Sequence, residues 1–308
     1  MVAALVIATG KTGRGHSLDP LKKVGTISAV QRVVIVLRRA GIERIVVVCG
    51  NEDDQKSVAR MNTVGLIGWP NAQMFDNTRI GLMYLSGKCE SVVIAHVGAP
   101  MFSVKTVRTL VEAKGPVCVR VPCYGNKKGN PILLRAEHFE RILYYMGNGG
   151  MAGAIKASYL CRQLIDVDDE GVLIDISGGK DHRRPASFDL TELCPDARIR
   201  VVRERPFYGP GAHQLLQLTG EEGSLREACR LMGISYNKGR GIISLIEQQL
   251  GCPVIESKQG GKTGGHSSLT PKGEELVRNY AEFYSEAKQC LDELFLKHFR
   301  AFADEIDA

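Results

Sequence analysis

The sequence predicts an α/β chain in two parts. A mostly parallel sheet with helices on both faces is expected over about residues 1–195, and a winged helix-turn-helix with a long C-terminal helix over 196–308. Three observations carry this reading. Continuous apolar runs such as Ala3–Ala8 and Arg44–Cys49 alternate with amphipathic helical patterns, which is how strands buried on both faces of a parallel sheet read. Two short helical patterns then meet at Gly233. Finally, no proline or glycine interrupts the chain from Glu274 to the end.

In chain order, Ala3–Ala8 reads as the first strand. Ser28–Ala40 reads as a helix capped by Ser28 and ended by Gly41, and Arg44–Cys49 as a second buried strand. Asp76–Leu85 is expected to be helix, Ser91–Ala95 strand, Val104–Ala113 helix and Val117–Val121 strand. Ligands of such sheets sit at the carboxyl ends of the strands. The first such end is Ala8, Thr9 and Gly10, followed by Arg14 and Gly15. Its flexible loop is expected to offer amides and Arg14 to a phosphate. It is not a Walker loop, because Leu5 stands where the motif needs glycine; the Gly261-Lys-Thr stretch fails likewise at Glu256.

In the second part, Ser224 with Glu227 reads as a capping box, and Leu225, Ala228 and Leu231 give the first helix an apolar face. Gly233 ends that helix, Ile234 is placed to plug the corner, and Ser235 can cap a second helix. The apolar face of that second helix is expected at Ile242, Ile246 and Leu250, with Tyr236, Asn237, Lys238 and Arg240 on its exposed first turn. A helix-turn-helix presents such a polar and basic first turn to the major groove of double-stranded DNA. Pro253–Ser257 reads as a strand, and a glycine-rich basic loop carrying Lys258, Lys262, Thr263 and His266 reads as a wing suited to phosphate. Thr270 and Pro271 then open the last helix. Val277, Tyr280, Tyr284, Ala287, Leu291 and Leu294, continued by His298 and Ala301, recur at alternating spacings of three and four. Phe295, Phe299 and Phe302 widen that seam. A coiled-coil-like homodimer through this helix is therefore expected.

The composition sets limits. With 308 residues and 44% hydrophobic content the chain can bury two cores. The N-terminus lacks a basic signal-peptide region, and no run approaches a membrane span. A cytoplasmic protein with no membrane partner is expected, its nine scattered cysteines buried free thiols without metal-ligand spacing. Residues 197–308 carry 15 Lys+Arg and 15 Asp+Glu, so the net charge of +6 belongs to residues 1–196. Bulk charge thus does not argue for DNA binding; a local basic footprint would have to supply it.

Residues from about Arg198 to Tyr284 resemble the winged helix-turn-helix of the ModE family of molybdate-responsive transcription regulators. The likeness lies in the leading strand Arg198–Val202, in Phe207-Tyr-Gly-Pro-Gly, in Gly233-Ile-Ser-Tyr and in Gly260-Gly-Lys-Thr-Gly-Gly. It implies that the second helix reads DNA and that Ser235, Tyr236, Asn237, Lys238, Arg240, Lys258, Lys262, Thr263 and His266 face it. Nothing after the winged part resembles that family's molybdate-binding repeats.

Residues from about 3 to 178 resemble the MobA-like nucleotidyltransferases, which make dinucleotide forms of the molybdenum cofactor. The shared pieces are Ala8-Thr-Gly with Arg14, Ala40-Gly-Ile-Glu-Arg-Ile-Val-Val-Val, Asn71 with Gln73-Met-Phe, Arg79-Ile-Gly-Leu, Ala99-Pro-Met-Phe-Ser, Gly129-Asn-Pro-Ile and Val172-Leu-Ile-Asp-Ile. The resemblance implies a nucleotide site at Ala8, Thr9, Gly10, Arg14, Asn71 and Arg79, taking CTP, GTP or a molybdopterin-type ligand. Its charge-handling residues are missing. Lys22 and Lys23 come later than the expected lysine, Gly98 and Ser177 stand where metal-binding carboxylates are expected, and Asn130 replaces a histidine. His96, Asp19 and Asp181 are the neighbours that would have to substitute. Magnesium is therefore expected only if the domain is an active enzyme. Two functions follow: a transcription regulator whose first domain senses a nucleotide or pterin ligand, or a working cytidylyl- or guanylyltransferase that carries a DNA-binding domain. The missing carboxylates favour the regulator.

Overall fold

The computed structural model describes residues 1–115, 118–178, 193–258 and 266–306. Its contacts fall into two units, Met1–Phe188 and Asp189–Ala308. In the first, the N-terminal apolar run becomes β1 (Val2–Ile7). A small hairpin, β2 (Lys23–Val24) with β3 (Ile27–Ser28), leads into α1 (Ala29–Arg39). Ser28 accepts the Gln31 amide while the Gln31 side chain returns to the Ser28 amide, so two otherwise orphan donors are satisfied. There follow β4 (Arg44–Cys49), α2 (Glu52–Ala59), β5 (Val64–Ile67), α3 (Met74–Leu85), β6 (Ser91–His96) and α4 (Val104–Glu112). After these come β7 (Val119–Tyr124), β8 (Lys127–Lys128), β9 (Ile132–Arg135), α5 (Phe139–Leu143), α6 (Gly150–Ala157) and β10 (Arg162–Asp166).

The strands run in the order β10-β7-β9-β6-β1-β4-β5, with β8 added to β7. All these contacts are parallel except those of β8 and of β9, which lies antiparallel between β6 and β7. The expected mostly parallel sheet is present. Helix α1 groups with α4, and α3 with α5 and α6, which leaves β1 buried on both faces. Gly81 permits α3 to approach β1 closely, since a Cβ there would stand 2.1 Å from Leu5 Cδ1.

The second unit opens with β11 (Val201–Val202) and β12 (Pro206–Tyr208), then α7 (Pro210–Glu222), α8 (Leu225–Leu231), α9 (Tyr236–Leu250), β13 (Ile255–Lys258), β14 (His266–Leu269) and α10 (Pro271–Ile306). The leading strand is shorter than the expected Arg198–Val202. Only Val201 and Val202 pair with β12, and Ile199 is held instead by its carbonyl, which accepts the Tyr280 hydroxyl at 2.9 Å.

Ser224 caps α8 by accepting the Glu227 amide, while the Glu227 carboxylate grips Arg230. The buried face of α9 also differs in phase from the expected one. Gly239, Ile243, Ile246 and Gln249 point inward, whereas Ile242 is half-buried and Leu250 exposed. The cause is the close approach of α8, because a Cβ on Gly239 would stand 2.2 Å from Cys229 Sγ. At the far end Glu247 Oε1 accepts the Val254 amide and ties the exit of α9 down.

Thr270 caps α10 by accepting the Gly273 amide, and its own hydroxyl donates to Pro253. Tyr280 is buried, its ring 5.0 Å from those of Tyr208 and His213. Beyond it the helix is largely exposed. The cysteines are free, as expected, but Cys161, Cys194 and Cys290 are exposed rather than buried. They sit outside the apolar strand runs that keep Cys49 and Cys123 inside. No helix among the described residues is long and apolar enough to cross a membrane.

Candidate functional site

Two places in the chain gather chemistry-bearing residues, and each lies within one unit. The first is at the carboxyl ends of β1 and β6. Ala8 leaves β1 with its amide on the Val48 carbonyl, and Gly10 turns the chain at φ +97°. The loop is folded on itself: the amides of Lys11, Thr12 and Gly15 donate to Ala72, His16 and Thr12 carbonyls, and the His16 amide to Thr12 Oγ1. Those donors are already engaged inside the protein. Lys11 also bridges Gln73, which sets the loop beside the start of α3. Of the residues singled out there, Ala8, Thr9 and Gly10 are buried, Arg14 and Asn71 exposed, and Arg79 half-buried with Nη2 4.0 Å from Met146 Sδ.

The fastener of this corner is Asn77, which sequence reasoning missed. It is fully buried on α3. Its Oδ1 accepts the Trp69 amide at 2.8 Å, and its Nδ2 donates to the Trp69 carbonyl at 3.0 Å and to Thr9 at 3.2 Å. Gly10 and Gly68 make room for it, since a Cβ on either would stand 2.5 Å from the Asn77 amide group. The signal was a polar residue on the apolar face of a helix, a position that burial tolerates only when hydrogen bonds are complete.

On the other flank of the loop lies a cleft of about 320 Å³ lined by Ser17, Asp19, Lys22, Val97, Gly98, Ile176 and Ser177. Stretches distant in sequence build it. The Ile176 amide donates to Gly98, and the Asn130 amide to Val172, so Gly98 and Ser177 face one another. A Cβ on Gly98 would stand 3.4 Å from Ser177 Cβ, 3.0 Å from His96 Nδ1 and 2.9 Å from Leu18 Cδ2. Asp175 is occupied in ordering this turn, with Oδ1 accepting both the amide and the hydroxyl of Ser177. His96 Nδ1 is buried without a hydrogen-bond partner. Burial pushes the imidazole below its ordinary pKa, while Asp175 pulls it back up, so the ring is neutral near pH 7. The Lys22 ammonium donates to the Ile176 carbonyl. Lys22 therefore reaches the cleft although its sequence position is displaced from the expected lysine.

These residues do not fit a divalent metal held by two carboxylates. Gly98 offers no ligand, Ser177 offers a hydroxyl that donates to Asp175, and the space above Gly98 is closed to a longer side chain. Among the described residues no group of three or more His, Cys, Asp or Glu is placed to hold a metal ion. Asp181 lies outside the described residues.

The second place is the first turn of α9. Gly233, at φ +59°, closes the turn after α8, and the Ser235 hydroxyl accepts the Lys238 amide. Asn237, Lys238 and Arg240 are exposed, and Tyr236 is 40% exposed with the Arg226 guanidinium 5.3 Å from its ring centre. The hairpin β13–β14 follows in antiparallel register, Lys258 opposite His266. His266 is exposed; Lys262 and Thr263 lie outside the described residues, and of Lys258 only the backbone is described.

Comparison with known proteins adds three findings. Residues 4–164, half of the chain, match the family described as MobA-like NTP transferase domain. A stretch of 82 residues, 26% of the chain, is 38% identical to the molybdenum-pterin-binding protein MopB of Rhodobacter capsulatus and covers 30% of that protein. A stretch of 75 residues, 24% of the chain, is 27% identical to MopA of the same organism and covers 28% of it. The chain thus spans less than a third of the length of these curated relatives. Among solved structures, a nucleotidyl transferase from Methanothermobacter superposes with a TM-score of 0.48 at 15% identity over 57% of this chain and 92% of that chain. A 4-diphosphocytidyl-2C-methyl-D-erythritol synthase from Anaerococcus prevotii gives 0.45 at 13% identity over 57% and 92%.

Proposed function

The chain belongs to the MobA-like NTP transferase domain family, and from that premise we propose that it is a DNA-binding transcription regulator of molybdenum metabolism. In this reading its family domain, over about residues 1–195, senses a nucleotide or molybdopterin-type ligand. Residues 196–308 form a winged helix-turn-helix that dimerises and binds DNA. The observation that carries the reading is the first turn of α9, where Asn237, Lys238 and Arg240 stand exposed after a glycine turn and ahead of an antiparallel hairpin. That order of elements is how a reading helix and a wing are presented to a major groove and its flanking phosphates. The likeness to two molybdenum-pterin-binding proteins supports the metabolic theme and a pterin ligand. Gly98 and Ser177, in place of acids, weigh against a metal-dependent transferase.

Contacts to DNA divide by role in this account. Asn237 and Arg240 reach base edges, so Arg240→Ala is expected to cost about 1–3 kcal/mol at the specific site and to relax discrimination there. Lys258 and Lys262 meet phosphate, so replacing both by Ala should weaken all sequences alike and flatten the salt dependence. Fluorescence anisotropy on specific and scrambled duplexes at several salt concentrations separates the two effects. An Arg240→Ala protein with unchanged discrimination would mean that α9 is not the reading helix.

A further inference from the structure

Two thiols meet at the amino ends of β7 and β10. Val119 and Arg162 are register partners in these parallel strands, and one residue before each stands a cysteine, Cys118 and Cys161. The Val119 amide donates to the Cys161 carbonyl at 3.1 Å, and the Cys118 amide to Cys161 Sγ at 3.2 Å. Neighbouring strands lie about 4.8 Å apart, inside the Cα separation of roughly 4.4–6.8 Å that a disulfide spans. Cys161 is exposed and Cys118 half-buried, and β10 is the last strand of the sheet, so the pair is open to solvent. The hydrogen bond from the Cys118 thiol, and after it the Cys118 amide, hold the Cys161 thiol below its ordinary pKa. Burial, and after it the same thiol contact, push Cys118 up. One sulfur is thus disposed to be the thiolate and its neighbour to keep the proton. Cys49 shows the opposite condition: in the core, burial with the charge of Asp54 pushes its thiol up to about 12, which leaves it inert.

We propose that Cys161 and Cys118 form a peroxide-reactive dithiol, with Cys161 as the attacking sulfur and Cys118 as the resolving one. The Cys161 thiolate attacks the terminal oxygen of a hydroperoxide. An S–O bond forms, the O–O bond breaks, and the departing hydroxide or alkoxide takes a proton from water. Cys161 is then a sulfenic acid, oxidised by two electrons, and the peroxide is reduced to water or an alcohol. The Cys118 sulfur next attacks the Cys161 sulfur: the S–S bond forms, the S–O bond breaks, and the hydroxyl leaves as water with the Cys118 proton. The new bond links positions 43 residues apart and ties the edge strand β10 to β7. β7 runs parallel to β6, and both thiols precede their strands whereas Gly98 follows β6. The dithiol therefore lies at the opposite end of the sheet from the Gly98 cleft and does not depend on what the first domain binds.

The test is peptide mapping of the full chain by mass spectrometry, without reduction, after treatment with a small excess of hydrogen peroxide. The expected product is a linked Cys118–Cys161 peptide that dithiothreitol returns to two thiols. Iodoacetamide labelling of the reduced chain should reach Cys161 ahead of Cys194, which is also exposed. Cys118→Ser should let a sulfenic acid accumulate at Cys161, where dimedone traps it. Cys161→Ser should abolish the linkage and leave Cys118 slow to oxidise. Circular dichroism of both variants that matches the parent separates these effects from a failure to fold, and the parent's own map needs no variant. Three results would each overturn the assignment: labelling of Cys161 no faster than that of Cys194, a peroxide-treated parent without the Cys118–Cys161 linkage, or a folded Cys118→Ser chain in which peroxide leaves Cys161 a free thiol.

Discussion

Truncation after Tyr280 is expected to convert a dimer into a monomer and to lower operator affinity about a hundredfold or more, because linked half-sites lose their effective concentration. The helix divides at Tyr280. Up to Tyr280 it is pinned within its own unit, with the Tyr280 ring against Tyr208 and His213 and its hydroxyl on Ile199. Beyond that residue Phe283 is 52% exposed, Leu294 48%, Leu296 60% and Phe299 47%. Together with the half-buried Tyr284, Leu291 and Phe295 they make this helix the surface on which a second copy would dock. The segment 281–306 spans roughly 39 Å as a helix, long enough for a parallel or antiparallel seam of several turns. Pairing two copies would set two reading helices one DNA turn, or a multiple of it, apart. Sedimentation of the intact chain should show a dimer at micromolar concentration, and the truncated chain a monomer whose first unit still melts as before. An intact chain that sediments as a monomer would rule out this arrangement.

Asn77→Ala is expected to have the largest effect on the first unit, a loss of roughly 3–5 kcal/mol. The substitution strands the buried Thr9 carbonyl together with the part-buried amide and carbonyl of Trp69, at up to about 1–3 kcal/mol for each group in proportion to its burial. For a unit of this size that corresponds to a melting shift of roughly 6–20 °C. Scanning calorimetry should show the transition of the first unit fall while that of the second holds. A shift under a degree would mean that water replaces the amide fully and that Asn77 is no fastener.

Much of the fold was legible because it is written in local patterns. The apolar runs at Ala3–Ala8 and Arg44–Cys49 mark strands, found at Val2–Ile7 and Arg44–Cys49, and Ser28, Ser224, Ser235 and Thr270 cap their helices. Each of these is decided within four residues of itself. What was not legible depends on partners far along the chain. Asn77 bonds to Thr9 across 68 residues, and Lys22 to Ile176 across 154. No spacing rule announces either contact. The antiparallel strand β9 enters between β6 and β7 by tertiary pairing, which its sequence pattern does not encode. The inward face of α9 was misjudged because Gly239, which carries no hydrophobic signal, is the point where α8 comes closest. At the cleft, sequence spacing identified Gly98 and Ser177 as departures, but only the fold places them opposite one another, in one cleft with Lys22.

The proposed function joins two activities in one chain: sequence-specific DNA binding and its control by a small ligand of nucleotide or pterin type. It is tested most directly by selecting duplexes from a random pool with the full chain, then titrating the chain onto the recovered sequence by anisotropy with and without CTP, GTP and pyrophosphate in EDTA. The expected result is enrichment of a two-fold symmetric sequence and an affinity for it that shifts by about tenfold with at least one of the ligands, a coupling of about 1.4 kcal/mol. Recovery of a pool no different from the input, or a specific affinity that none of the ligands moves, would contradict it.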